Sequence, residues 1–146
     1  MKQVYSENIK SVNELPVLVE KLSKLIAPGS IVLLSGDLAA GKTTFVAYFC
    51  KYFKITSVQS PTYALHQRYT NNNIVIDHFD LYRLETEDEV ESSGFYDLLN
   101  TPADYKFIEW PERVNLSDFP LGKSLYKIVI KVLDGDIRQL ELYKIS

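Results

Sequence analysis

Apolar positions along the chain follow two rhythms, and the switch between them marks out the elements. The run Ile31-Val32-Leu33-Leu34 follows Pro28-Gly29, and its length predicts a buried parallel strand. Phe45, Phe49 and Phe53 then recur four residues apart, which predicts a helix over Thr43 to Phe53 with one apolar stripe. Upstream, Leu15, Leu18, Val19, Leu22, Leu25 and Ile26 form the apolar face of a first helix. Asn13 can cap that helix, Pro16 is tolerated in its first turn, and Pro28-Gly29 ends it.

In the second half the rhythm shortens. Ala64 to Thr70 and Ile74 to Leu81 read as two strands joined by the turn Asn71-Asn72-Asn73. Thr86-Glu87-Asp88-Glu89 is a capping-box pattern that predicts a short acidic helix, stopped near Gly94. Lys106 to Trp110 reads as a brief strand closed by Pro111. Leu125 to Leu133 and Ile137 to Ile145 flank Asp134-Gly135, the strongest hairpin signal in the chain, so the C-terminal edge is expected to be antiparallel.

Between the Ile31 strand and the Phe45 helix lies Gly36-Asp37-Leu38-Ala39-Ala40-Gly41-Lys42-Thr43, the Gly-x-x-x-x-Gly-Lys-Thr phosphate-binding pattern. A tight loop there turns backbone N–H groups toward phosphate oxygens, and the helix adds the positive end of its dipole. Lys42 is then expected at the β- and γ-phosphates and Thr43 on magnesium. The predicted fold is therefore α/β: a three-layer, P-loop NTPase-like fold, its mixed sheet having a parallel core and an antiparallel C-terminal hairpin. A nucleotide is expected at the carboxyl end of the first core strand.

Composition narrows this only modestly. The 146 residues suit one domain, 1–146, and no run is apolar enough to cross a bilayer. No signal peptide precedes the first polar stretch, and the single Cys50 suits core packing in a reducing cytoplasm. A net charge of -3 without a Lys/Arg stripe argues against independent binding to RNA or DNA.

Two acids outside the loop are candidates for the site. Asp80 ends a predicted strand, and Glu109 follows Phe107-Ile108, where phosphate-loop enzymes keep an acid for magnesium or water. Each can equally be read as a solvated strand-end acid. His66 and His78 lack the spacing of a transition-metal site.

Four blocks in order make the pattern specific: residues 36 to 44, then Ser60-Pro61-Thr62-Tyr63, then His78-Phe79-Asp80-Leu81-Tyr82-Arg83-Leu84, then Ile108-Glu109-Trp110-Pro111-Glu112. Together they resemble the TsaE family, small bacterial ATPases of tRNA threonylcarbamoyladenosine synthesis. The resemblance implies ATP and Mg2+ as cofactors. It implies a nucleotide site of Ser11, Asp37, Leu38, Ala39, Ala40, Gly41, Lys42, Thr43, Thr44 and Thr62, with Thr62 in a switch-like loop near the γ-phosphate. It places Thr43 and Glu109 at the metal and makes Asp80 a metal-side or catalytic acid. Ser11 also reads simply as a helix-start residue, Trp110 is a candidate sensor of nucleotide or partner, and Arg83 could steady Asp80 or phosphate charge. The chain departs from the family at Ala39, where glycine is usual. If that position requires positive φ, the Cβ costs on the order of 1 kcal/mol.

The implied activity is magnesium-dependent ATP hydrolysis, with Lys42 and loop N–H groups stabilising phosphate charge and Glu109 or Asp80 orienting water. No arginine finger is marked in the sequence, which fits slow hydrolysis completed by a partner. The resemblance names that partner as the TsaD–TsaB pair, with tRNA reached only through the complex. A nucleotide-gated adaptor with incidental hydrolysis is the alternative. A small-molecule kinase lacks lid and acceptor signatures, and a GTPase lacks Asn-Lys-x-Asp.

Overall fold

The computed structural model describes residues 1–37, 39–56, 65–120 and 122–146. Its centre is a mixed seven-stranded sheet with the order β1-β7-β6-β2-β5-β4-β3. The strands are β1 (Lys2–Ile9), β2 (Ser30–Ser35), β3 (His66–Thr70), β4 (Val75–Asp80), β5 (Tyr105–Glu109), β6 (Leu125–Asp134) and β7 (Ile137–Lys144). The helices are α1 (Leu15–Leu25), α2 (Lys42–Tyr52), α3 (Glu87–Ser92) and α4 (Phe95–Leu99). β2 lies between β5 and β6, parallel to both, and β4 runs parallel to β5.

β2 is buried on both faces, as its unbroken apolar run required. Val32 and Leu34 pack with Phe45, Phe49 and Leu18 of α2 and α1, whereas Ile31 and Leu33 pack with Val90, Phe95 and Leu99 of α3 and α4. Helices therefore cover both faces. Phe45 and Phe49 meet Phe107 of β5 edge-on at 6.2 and 4.9 Å between centroids, which locks α2 onto the sheet. Cys50 is buried in the same core, and burial pushes its thiol up to about 12.

Several local readings hold in detail. Thr86 Oγ1 accepts the Glu89 N–H at 3.1 Å, but Glu89 reaches back to the N–H of Glu85 in place of Thr86. The cap near Asn13 is different: Ser11 Oγ accepts the Asn13 N–H at 3.3 Å and starts a short 3₁₀ turn, from which α1 continues. Leu25, expected on the buried face of α1, is exposed.

The larger correction concerns the sheet margin. β6 and β7 form the expected antiparallel hairpin, yet β7 is not the edge, because β1 pairs antiparallel with it from Lys2 to Ile9. β1 buries only Ile9, so it carries no alternating apolar signal and is held by its backbone ladder with β7.

Candidate functional site

β2 ends at Ser35 and α2 opens at Lys42. A Cβ on Gly36 would lie 2.7 Å from the Ile130 carbonyl oxygen, so the close approach of β6 requires glycine. Gly41, at φ 109°, admits the left-handed backbone that opens α2. Ala39 shares that region at φ 65°. Here a Cβ opposes the carbonyl at a cost of about 1 kcal/mol. Ala39→Gly is therefore expected to raise the unfolding free energy by about 0.5 kcal/mol, read as a higher urea midpoint, part of the gain being offset by glycine's freedom in the unfolded chain.

Four candidate side chains, Lys42, Thr43, Asp80 and Glu109, converge where β2, β4 and β5 end, with Trp110 beside them. Lys42 is buried at the start of α2; its Nζ donates to the Gly36 carbonyl at 2.8 Å and lies 4.1 Å from the centroid of the Trp110 ring. Trp110 takes left-handed backbone at φ 60° just after β5, and the Tyr82 ring backs it at 4.9 Å. Thr43 Oγ1 donates to Glu109 Oε2 at 3.0 Å. Asp80 and Glu109 are register partners on adjacent strands, and Asp80 Oδ1 accepts the Tyr82 N–H at 3.0 Å. Lys42, Thr43, Asp80, Arg83, Glu109 and Trp110 all line one cavity of about 290 Å³.

The charges are balanced tightly. Burial pulls the Lys42 ammonium below the usual lysine range, while Glu109, Asp80, Glu112 and Asp37 pull the other way. Burial pushes the Asp80 carboxyl up and neighbouring Glu109 adds to the shift, against the Tyr82 N–H. Glu109 is buried and not a solvated strand-end acid.

On the other side of the same loop lies a second cavity of about 330 Å³. Leu15, Phe45 and Leu140 supply apolar wall, and Ser11, Ala40 and Arg138 supply polar rim. Ala39, Gly41 and Thr44 border both cavities. Ser11 thus caps the 3₁₀ turn and faces the cavity rim together. Asp37 is exposed, and its carbonyl accepts the Ala40 N–H at 3.0 Å. Leu38 and Thr62 lie outside the described residues.

The donor set suits a hard divalent cation beside phosphate oxygens. Thr43 gives its proton to Glu109 and keeps its lone pairs open, Asp80 offers carboxylate oxygen, and Lys42 supplies an ammonium at the N-terminus of an 11-residue helix. Few protein ligands suffice for magnesium. Arg138 is absent from the sequence-based set because only the fold brings it to the loop, where its Nε donates to the Ala40 carbonyl at 3.2 Å. His78, to which the sequence offers no role at the site, is brought there by strand pairing, its Nε2 2.5 Å from Glu109 Oε2.

Comparison with known proteins agrees with the four sequence blocks. The family profile "Threonylcarbamoyl adenosine biosynthesis protein TsaE" matches residues 9–139. The tRNA threonylcarbamoyladenosine biosynthesis protein TsaE of Rickettsia conorii is 41% identical over 125 residues, covering 82% of this chain and 69% of that one. The Bacillus subtilis protein of the same name is 34% identical over 124 residues, covering 84% and 75%. The crystal structure of Bacillus subtilis YdiB superposes with a TM-score of 0.74 at 22% identity, covering 99% of this chain and 87% of that one, a likeness of fold. Among the described residues no helix is long and apolar enough to cross a membrane. The chain belongs to the TsaE family of tRNA threonylcarbamoyladenosine biosynthesis proteins.

Proposed function

We propose that this chain is a magnesium-dependent ATPase with a P-loop NTPase-like fold, working on the TsaD–TsaB transferase in the cytoplasm. The observation that supports it best is the convergence of Lys42, Thr43, Asp80 and Glu109 on one cavity at the start of α2. Bound magnesium would neutralise charge on the β- and γ-phosphate oxygens.

The chain's own groups do the rest. The N–H groups at the start of α2 would meet phosphate, and Lys42 would exchange the Gly36 carbonyl and the Trp110 ring for phosphate oxygen. Thr43 and Asp80 would hold the ion, and Glu109, which already orients the Thr43 hydroxyl, would orient water. The apolar cavity beside Ser11 and Arg138 takes the nucleoside, with Phe45 and Leu15 excluding water from it. Release of Lys42 from Trp110 gives the partner-facing surface a dependence on nucleotide state.

The test is ATP turnover by the purified protein with magnesium, alone and with the TsaD–TsaB pair. Strong stimulation is expected, and Glu109→Ala should reduce turnover by about 10²-fold or more while partner binding persists. Lost turnover in Glu109→Ala with partner binding and modification both intact would give the nucleotide-gated adaptor instead.

A further inference from the structure

His78 lies on β4, two residues before Asp80, with its side chain fully buried. Its ring is tilted against that of Tyr69 at 6.3 Å between centroids. Its Nε2 lies 2.5 Å from Glu109 Oε2, the same oxygen that accepts Thr43 Oγ1 at 3.0 Å. Its Nδ1 has no hydrogen-bond partner among the described residues.

The tautomer follows from these contacts. A lone pair on Nε2 against a carboxylate oxygen would be repulsive, so Nε2 carries the proton and donates. Nε2 is thereby committed to Glu109, and Nδ1 meets no hydrogen-bond partner among the described residues.

We infer that His78 is a positioning residue for the metal end of the site, acting through Glu109. With Thr43 and His78 both on Oε2, that oxygen is committed to two fixed donors, and the carboxylate plane is set by a buried, rigid ring. Glu109 thereby fixes the Thr43 hydroxyl that would hold the ion. His78 itself does not line the cavity. Partners of this kind, one bond removed from the ligands, typically set metal affinity about 10–100-fold. The inference rests on the magnesium-ATP reading above.

The experiment compares His78→Gln with His78→Asn. Both bury an amide, but only glutamine extends its N–H to the position of Nε2. Mn2+ binding to the ADP complex, followed by electron paramagnetic resonance, is read beside ADP affinity without metal and the thermal midpoint. The expected result is Mn2+ binding weakened about 10-fold or more in His78→Asn and within about threefold of wild type in His78→Gln, with metal-free ADP affinity unchanged in both. Equal Mn2+ affinity in the two variants, whether intact or lost, overturns the inference, as does a parallel loss of metal-free ADP binding. Failure of the wild type itself to bind Mn2+ with ADP would overturn the magnesium-ATP reading, and is thereby distinguished.

Discussion

Asp77→Ala is expected to destabilise the protein by about 3–5 kcal/mol, although Asp77 lies outside both cavities. Its carboxylate is fully buried on β4 and accepts from His66 Nε2 and Arg68 Nε at 2.8 Å on one oxygen. The other oxygen accepts from Arg68 Nη2 and Lys106 Nζ, both at 3.0 Å. Lys106 is itself buried and also donates to the carbonyls of Leu98 and Thr101 at the end of α4. Removing the carboxylate strands a buried ammonium against the unchanged pull of desolvation. Urea unfolding of the wild type and the variant measures the loss, and Asp77→Asn should lie between them.

The same cluster gives an acid limb to stability. Burial alone would raise the Asp77 carboxyl, but the hydrogen bonds from His66, Arg68 and Lys106 win and hold it well below the usual carboxylate range. Its folded value thus lies below the unfolded one. The contribution is complete above the unfolded carboxyl range, near pH 4, and is lost as pH falls through the folded value. Lys106 shifts downward through burial despite the ion pair. We hold it charged, because its three donations, to Asp77, Leu98 and Thr101, use all three ammonium protons. Wild-type urea midpoints should fall below about pH 4, and Asp77→Ala should flatten that fall.

Lys42→Ala is expected to lower ATP turnover by about 10³-fold or more while leaving the thermal midpoint within a few degrees. The asymmetry comes from where Lys42 sits. Burial already disfavours its charge in the folded chain, and its contacts, the Gly36 carbonyl and the Trp110 face, are modest. Its loss therefore costs the fold little. For a bound triphosphate the same ammonium stands at the start of α2, beside the acids Asp80 and Glu109. Lys42→Arg should not restore activity, because a planar guanidinium cannot replace a compact ammonium packed on the Trp110 ring. Single-turnover hydrolysis at saturating nucleotide separates this from weakened binding.

Legibility in the sequence divides along a physical line. The strand, loop and helix from Ile31 to Phe53 were readable because each uses local rules: an apolar run, glycines at constrained backbone, and an aromatic repeat matched to the helix. The Thr86 cap and the Asp134-Gly135 hairpin were readable for the same reason. β1 was not, since an exposed strand that buries only Ile9 leaves no periodic trace. The departure from the family pattern at Ala39 also had a local answer: the residue takes the positive φ considered for it, 65°.

The site follows the same division. Lys42 and Thr43 are adjacent residues of one motif, and Asp80 and Glu109 end separate strands, so sequence alone determined the chemistry on offer and the family to which it belongs. Which groups meet was decided by the tertiary structure. Parallel pairing of β4 with β5 sets Asp80 level with Glu109 and brings His78 onto the same carboxylate. The β6–β7 hairpin carries Arg138 to the Ala40 carbonyl, and β3 carries His66 and Arg68 to Asp77. Side-chain pairing between strands depends on register, and register is set by the whole sheet and its core; a linear pattern records which face a residue prefers, but not which partner waits there.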